Sequence, residues 1–398
     1  MATKLPQELI DKILDGVVEE ISEKYGNSLL PDYPSLKALS LTSRHFTPSC
    51  QARCYMIVSL IRKSCEQFKD LLSESPHLGT FVRKLRMYDY SVSPIVADIL
   101  HWLPNLHTLS VDCTCFISIA EHMHTSLHNA RVFSFVAARL PNISTLLTVI
   151  SLLPNVETLK LKSIGLEDIS AVPFHLPEHR KIPSPRIVFI SVIDKRILSA
   201  LAHNLIGPNA VARLDKVTKL QINVSGPSFF RWDIQELLAL THPSLEDLTI
   251  VMPLDTFPPP IDFSRHSKLR SLLLRMPLPA FATPLSDAQN LTLSLATLPH
   301  TTQLVLLSLT QHSSDGRVVQ NDRQWQALGS IFGPRKGSCF HIRVERGCIG
   351  STEETSEARN MALGLIRQYM GNVHREGRLI IDGELPRLSP FTILEVDS

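Results

Sequence analysis

Five side chains of metal-ligating type fall within sixteen residues of this 398-residue chain: Cys113, Cys115, His122, His124 and His128. Zinc sites pair cysteines across gaps of about two to four residues and set a second pair well apart, a regularity this cluster lacks. On a helix, His122 and His124 would also face different ways. The stretch is read as repeat-packing cysteines with surface histidines, holding no metal. Gly329-Ser-Ile-Phe-Gly333-Pro-Arg-Lys-Gly337-Ser invites a phosphate, but the Gly-Lys-Ser/Thr order of a P-loop is missing. No Gly-x-Ser-x-Gly elbow, His-Glu-x-x-His pair or kinase signature occurs. The motifs predict no catalytic residue and no cofactor, although a dispersed active site would leave no such mark.

What the sequence offers instead is leucine. The chain has 59 Leu, about 15% of its residues, and a repeat is the first explanation to test. The template apolar-x-x-apolar-x-apolar fits segments opening at Val82, Leu106, Val132 and Val156, spaced 24, 26 and 24 residues apart. It fits again at Val217, Leu245 and Leu269, spaced 28 and 24 apart. Leu103-Pro-Asn-Leu-His-Thr-Leu-Ser-Val and Leu153-Pro-Asn-Val-Glu-Thr-Leu-Lys-Leu nearly superpose. A period of 20–29 residues marks leucine-rich repeats, each a short strand with a return segment. The intervening stretches Val92–Leu103, Ile143–Leu153 and Phe229–Leu240 place apolar residues on one side of a helix. Prolines 104, 141, 154 and 243 fall at the junctions. An ordinary doubly wound sheet is the alternative, but such folds keep no fixed period. The prediction is an α/β solenoid with parallel strands on a concave face.

Irregular loops are expected at Phe174–Pro185 and at Leu254–Phe263, where Pro258, Pro259 and Pro260 stand together. A C-terminal cap over 349–398 is predicted to hold a helix at Glu354–Met370 and strands near Leu379–Ile381 and Thr392–Val396. Along the strands, side chains beside the inward positions must alternate outward. That face then carries Lys84, Arg86 and Tyr88, then Lys160 and Lys162, then Lys219, and finally Ser271, Leu273 and Arg275. Its cations outnumber Asp112 and Asp247, a local surplus that favours an acidic or phosphorylated protein ligand.

Across the whole chain, 40 Lys+Arg balance 38 Asp+Glu. So flat a balance argues against a nucleic-acid partner. The opening residues lack the apolar core of a signal peptide, and apolar runs such as Ile187–Ile193 are too short for a bilayer, so no membrane partner is expected. The seven cysteines are irregularly spaced. They are read as reduced thiols, which predicts a cytoplasmic or nuclear location.

The first sixty residues differ in kind. Leu5-Pro6-Gln-Glu-Leu-Ile10 opens a helix with Pro in its first turn. An apolar stripe follows through Ile13, Leu14 and Val17, wider than one buried face requires. A second helix carries Leu36, Leu39, Ser40, Leu41, Arg44 and Phe46, and a third spans about Pro48–Ile61. This segment resembles an F-box, whose pattern opens with Leu-Pro and a helix bearing Ile-Leu. Two departures are Ser43, where Cys is common, and the long connection Glu23–Asp32. The alternative is a plain helical cap on the open end of the solenoid.

The resemblance, to the fungal F-box and leucine-rich-repeat class, implies the substrate-recognition subunit of an SCF-type ubiquitin ligase. It implies that Leu5, Pro6, Ile10, Ile13, Leu14, Leu36, Leu39, Ser40, Leu41, Arg44 and Phe46 bind a Skp-family adaptor and, through it, cullin. The domain plan is a helical module at 1–60, a connecting helix or linker at 61–80, a solenoid at 81–348 and a cap at 349–398. A scaffold using the same repeats without a ligase is the alternative. An enzyme hidden among the long loops is a third.

Overall fold

The computed structural model describes residues 6, 8–12, 14, 33–88, 94–123, 127–136, 140–165, 183–192, 212–224, 232–251, 260–277, 286–311, 322–346, 364 and 366–381. They belong to two compact units, Met1–Lys162 with Leu176–Pro183, and Ser163–His175 with Ser184–Ser398.

In the first unit, residues 8–12 and 14 are helical, followed by α1 (Tyr33–Thr42) and α2 (Thr47–Met56). Strand and helix then alternate: β1 (Ile57–Ile61), α3 (Arg62–Glu74), β2 (Lys84–Tyr88), α4 (Ile95–His101), β3 (Thr108–Asp112), α5 (Cys113–His122), β4 (Val132–Val136), α6 (Ile143–Ser151) and β5 (Thr158–Ile164). The strands pair in parallel and in sequence order. Each return segment covers the strands with an apolar face. In α6, Ile143, Leu146, Leu147 and Ile150 are buried, and Asn142 caps the helix by accepting from Thr145 N at 3.0 Å.

The second unit runs β6 (Ile187–Val192), β7 (Lys219–Val224), α7 (Trp232–Thr241), β8 (Asp247–Val251), β9 (Ser271–Pro277), α8 (Ser286–Ala296), β10 (Leu304–Gln311), α9 (Asp322–Phe332), β11 (Cys339–Arg346), α10 (Gly371–Arg375) and β12 (Leu379–Ile381). Its strands also pair in parallel and in order. The parallel, sequence-ordered ladder of a solenoid-like α/β fold is therefore present in each unit.

Four details correct the sequence reading. Residues 57–61 form β1, paired with β2, and are not the end of a helix. The ladder of the first unit thus starts inside the segment assigned to the helical module, while in the second unit β12, at the strand expected near Leu379–Ile381, pairs with β11. The third repeat is also framed differently. Leu109 sits opposite Phe133 and Val111 opposite Phe135. The inward pair is Phe133 and Phe135, both fully buried, and the opening position is Ala130. The first four repeats then open at 82, 106, 130 and 156, spaced 24, 24 and 26 apart. Two further strands, β6 and β10, have Pro185 and Thr302 at the opening position and so escape an apolar template.

The described part of the Leu254–Phe263 stretch, residues 260–263, is irregular yet buries Ile261 and Phe263. Its backbone is satisfied by neighbouring side chains instead. Asp262 N donates to Gln235 Oε1 at 2.9 Å, Ile261 N to Ser294 Oγ at 2.8 Å, and Phe263 N to Thr297 Oγ1 at 2.9 Å. An irregular buried segment needs such partners, because each unpaired amide would cost about 1–3 kcal/mol. Phe174–Ile182 and Thr392–Val396 lie outside the described residues.

Candidate functional site

The helical module has a small core of its own. Ile10, Leu14, Leu36 and Cys50 are buried together, with Leu39, Phe46 and Cys54 packed against them. Arg53 fastens the first helical segment to α2: its guanidinium meets Asp11 Oδ1 at 3.3 Å and donates to Asp11 O at 3.2 Å. Ser40 Oγ donates to Lys37 O at 2.7 Å, and Thr47 Oγ1 to Ser40 O at 3.0 Å, which fixes the turn from α1 into α2.

These contacts divide the predicted adaptor-binding set. Ile10, Leu14 and Leu36 are occupied inside the module. Pro6 and Arg44 are exposed. Leu41 is 79% exposed, and Leu9, which the sequence reading left out of the set, is 46% exposed. Each is a large apolar side chain held out in water, which a partner could cover. Leu5 and Ile13 lie outside the described residues.

In the first unit, the strand face opposite the core carries the predicted cations. Register aligns Arg86, Ser110, Ser134 and Lys160 in one row across β2–β5. Lys84 begins the same strand as Arg86, and Lys162 follows Lys160. All four cations are half-buried, and Tyr88 is 39% exposed at the end of β2. Two cationic pairs thus stand three strand spacings apart, roughly 14 Å, across a floor that holds the Ser110 and Ser134 hydroxyls and the carboxylate of Asp112. Such an arrangement suits an extended anionic ligand.

The second unit is different. Ser271 and Leu273, predicted to face outward, are buried at 7% each. Phe189, Ser308 and His341, outward by the same alternation, are buried as well. A strand buried on both faces reads as a continuous apolar run, and Leu272-Leu-Leu274 is one. Lys219 Nζ meets Asp247 Oδ2 at 3.1 Å, so its charge is matched within the strand row. Arg275 remains exposed. It aligns with Ser308 and the exposed Arg343 across β9–β11, so the second unit keeps a shorter cationic row on this face.

Of the remaining motif residues, Cys113 and Cys115 begin α5 and His122 ends it, while His124 lies outside the described residues. Among the described residues, no group of three or more His, Cys, Asp or Glu side chains is placed to hold a metal ion. Burial pushes the Cys50, Cys54 and Cys339 thiols above their ordinary range, which suppresses the reactive thiolate. Gly329 lies within α9 and serves packing. A Cβ there would stand 2.7 Å from Tyr369 O, too close for any larger residue. No helix among the described residues is long and apolar enough to cross a membrane.

Sequence reasoning missed a column of side chains just before β3, β4 and β5, with counterparts before β8 and β11. Asn105 Nδ2 donates to Thr80 O at 2.8 Å, Asn129 Nδ2 to Pro104 O, and Asn155 Nδ2 to His128 O at 2.8 Å. In the second unit Ser244 Oγ takes this part toward Val217 O at 2.8 Å, and Ser338 Oγ toward Thr302 O at 2.6 Å. The recurring Pro-Asn at 104–105 and 154–155 was the available signal. Comparison with protein-family models and with curated proteins finds no match for this chain.

Proposed function

We propose that the chain is a substrate receptor of an SCF-type ubiquitin ligase, its helical module docking a Skp-family adaptor and its repeats presenting the target. The observation that carries the reading is the outward placement of Leu9 and Leu41 on helices whose own core is already filled by Ile10, Leu14 and Leu36. The parallel ladder that follows supports it, since repeats of this kind supply long binding surfaces. The contribution to ubiquitin transfer is proximity and orientation, with no bond-making residue. The target docks on the strand face of the first unit, where Lys84, Arg86, Lys160 and Lys162 favour an acidic or phosphorylated segment. Repeats in a horseshoe and cytoplasmic or nuclear residence belong to the same proposal.

A second reading, a scaffold outside any ligase, draws on the self-contained core of the module, which is what a terminal cap requires. Co-expression of the full chain with a Skp-family adaptor and cullin separates the two. A stoichiometric complex that survives gel filtration supports the receptor, and an adaptor that never co-elutes leaves the scaffold.

A further inference from the structure

We propose that the N-terminal edge of β2–β4 is a binding site for a phosphate monoester, sharing only Lys84 with the strand face and independent of any ligase assembly. A cleft of about 550 Å³ opens there within the first unit. Arg83, Lys84, His107 and Arg131 form its polar wall, and Met56 with Ile57 its apolar one. Among the described residues, no carboxylate lines it.

The wall follows from the repeat. Lys84 pairs with Thr108 and Thr108 with Val132. Arg83, His107 and Arg131 therefore occupy the same position, one residue before three adjacent strands. Two strand spacings put the arginine backbones roughly 10 Å apart, within convergent reach of two long side chains. Backbone groups are already engaged there: Arg83 O accepts from His107 N at 2.8 Å and Thr108 N at 2.9 Å, and His107 O accepts from Arg131 N at 2.8 Å and Val132 N at 3.0 Å. Recognition must then come from the side chains. Arg131 is held at the rim by Glu157 at 3.3 Å, which lies outside the cleft.

Donors arriving from three neighbouring strands suit a tetrahedral dianion, whose oxygens point in several directions. A planar carboxylate is satisfied by one guanidinium fork. Met56 is 39% exposed beside these cations, so the carbon body of an ester has an apolar surface to lie on. That feature selects a monoester over inorganic phosphate.

Titration of the full chain with phenyl phosphate, followed by calorimetry, tests the site. The expected result is saturable one-to-one binding, tighter than that of inorganic phosphate. An Arg83→Gln, Arg131→Gln double variant should weaken it about tenfold or more, as lost charged hydrogen bonds do, with an unchanged thermal melt. Lys219→Gln in the other unit should leave it alone. A phosphotyrosine peptide binding more tightly than phenyl phosphate assigns the site to a phosphorylated protein segment, and equal binding assigns it to a small phosphate ester. Both support the site. No saturable binding, affinity no better than inorganic phosphate, or equal losses in the double and Lys219 variants overturns it. Arg83 and Arg131 lie outside the proposed adaptor and target surfaces, so failure here is distinct from failure of the receptor reading.

Discussion

The side-chain amide of Asn155 donates to the carbonyl oxygen of His128, twenty-seven residues upstream, at 2.8 Å. Asn105 repeats the contact toward Thr80 O at 2.8 Å. Each asparagine thereby hangs the turn of one repeat on the turn before it. Backbone bonds of the ladder alone would leave that carbonyl to water.

Asn155→Ala should therefore cost about 1 kcal/mol, the net worth of one such hydrogen bond. Urea unfolding checks it. The midpoint should fall with the slope unchanged, because the surface exposed on unfolding stays the same. A midpoint equal to that of the unaltered chain would make the contact ornamental.

Much of this ladder could be read from period alone. Leu109, Leu159, Leu220, Leu248 and Leu272 are all buried where the template put them inward. The template failed where burial uses a small or polar residue. Ala130 opens the third repeat and Thr302 another, and neither looks apolar enough to anchor a frame. It also failed at Ile57–Ile61, because a five-residue run with four apolar side chains fits a strand or the end of a helix equally well. Ser271-Leu-Leu-Leu carried a usable signal of two-sided burial, since alternation is lost there. The asparagine column needed the neighbouring repeat to be visible. In the module, the apolar stripe showed which residues matter but not which of them the module keeps. Ile10 and Leu36 turn inward while Leu9 and Leu41 do not.

That division gives a paired prediction. Leu36→Ala removes a fully buried side chain and should destabilise by about 2–5 kcal/mol. Leu41→Asp alters an exposed one and should stay within about 0.5 kcal/mol. If the module docks a Skp-family adaptor, Leu41→Asp abolishes pull-down from a chain whose melt is unchanged. Retained pull-down with that variant removes the exposed leucine from the docking surface.

His266 sets a limit on acid tolerance. It is buried, with Nε2 3.2 Å from Leu238 O and its ring edge-on to Phe263. Burial holds its imidazole below the ordinary range. As pH falls below about 6.5, the unfolded chain takes up a proton there that the folded chain refuses. The stabilisation is therefore present above that pH and is lost as pH falls toward the lowered folded value. His266→Gln should flatten the slope of urea midpoint against pH below about 6.5. An unchanged slope would assign the acid sensitivity elsewhere.

The strand face of the first unit carries the last prediction. Lys84 and Arg86 stand on β2, Lys160 and Lys162 on β5, with Ser110 and Ser134 in the row between. These cations are half-buried, so part of their field is shielded from water and a bound anion would be less screened than at an open surface. Replacing Lys84, Lys160 and Lys162 with Glu inverts the face without touching the inward residues Leu85, Leu159 and Leu161, which are buried. The fold should persist, with an unchanged melt. Capture of an acidic or phosphorylated target should fall by an order of magnitude or more, as the loss of several charge-assisted contacts implies. For the unaltered chain, affinity should also fall as salt rises from about 0.05 to 0.5 M, because the Debye length shrinks below the span of the face. A target held equally well by the Glu variant, with no salt dependence, would mean that the surface is merely solvated and that the target docks elsewhere.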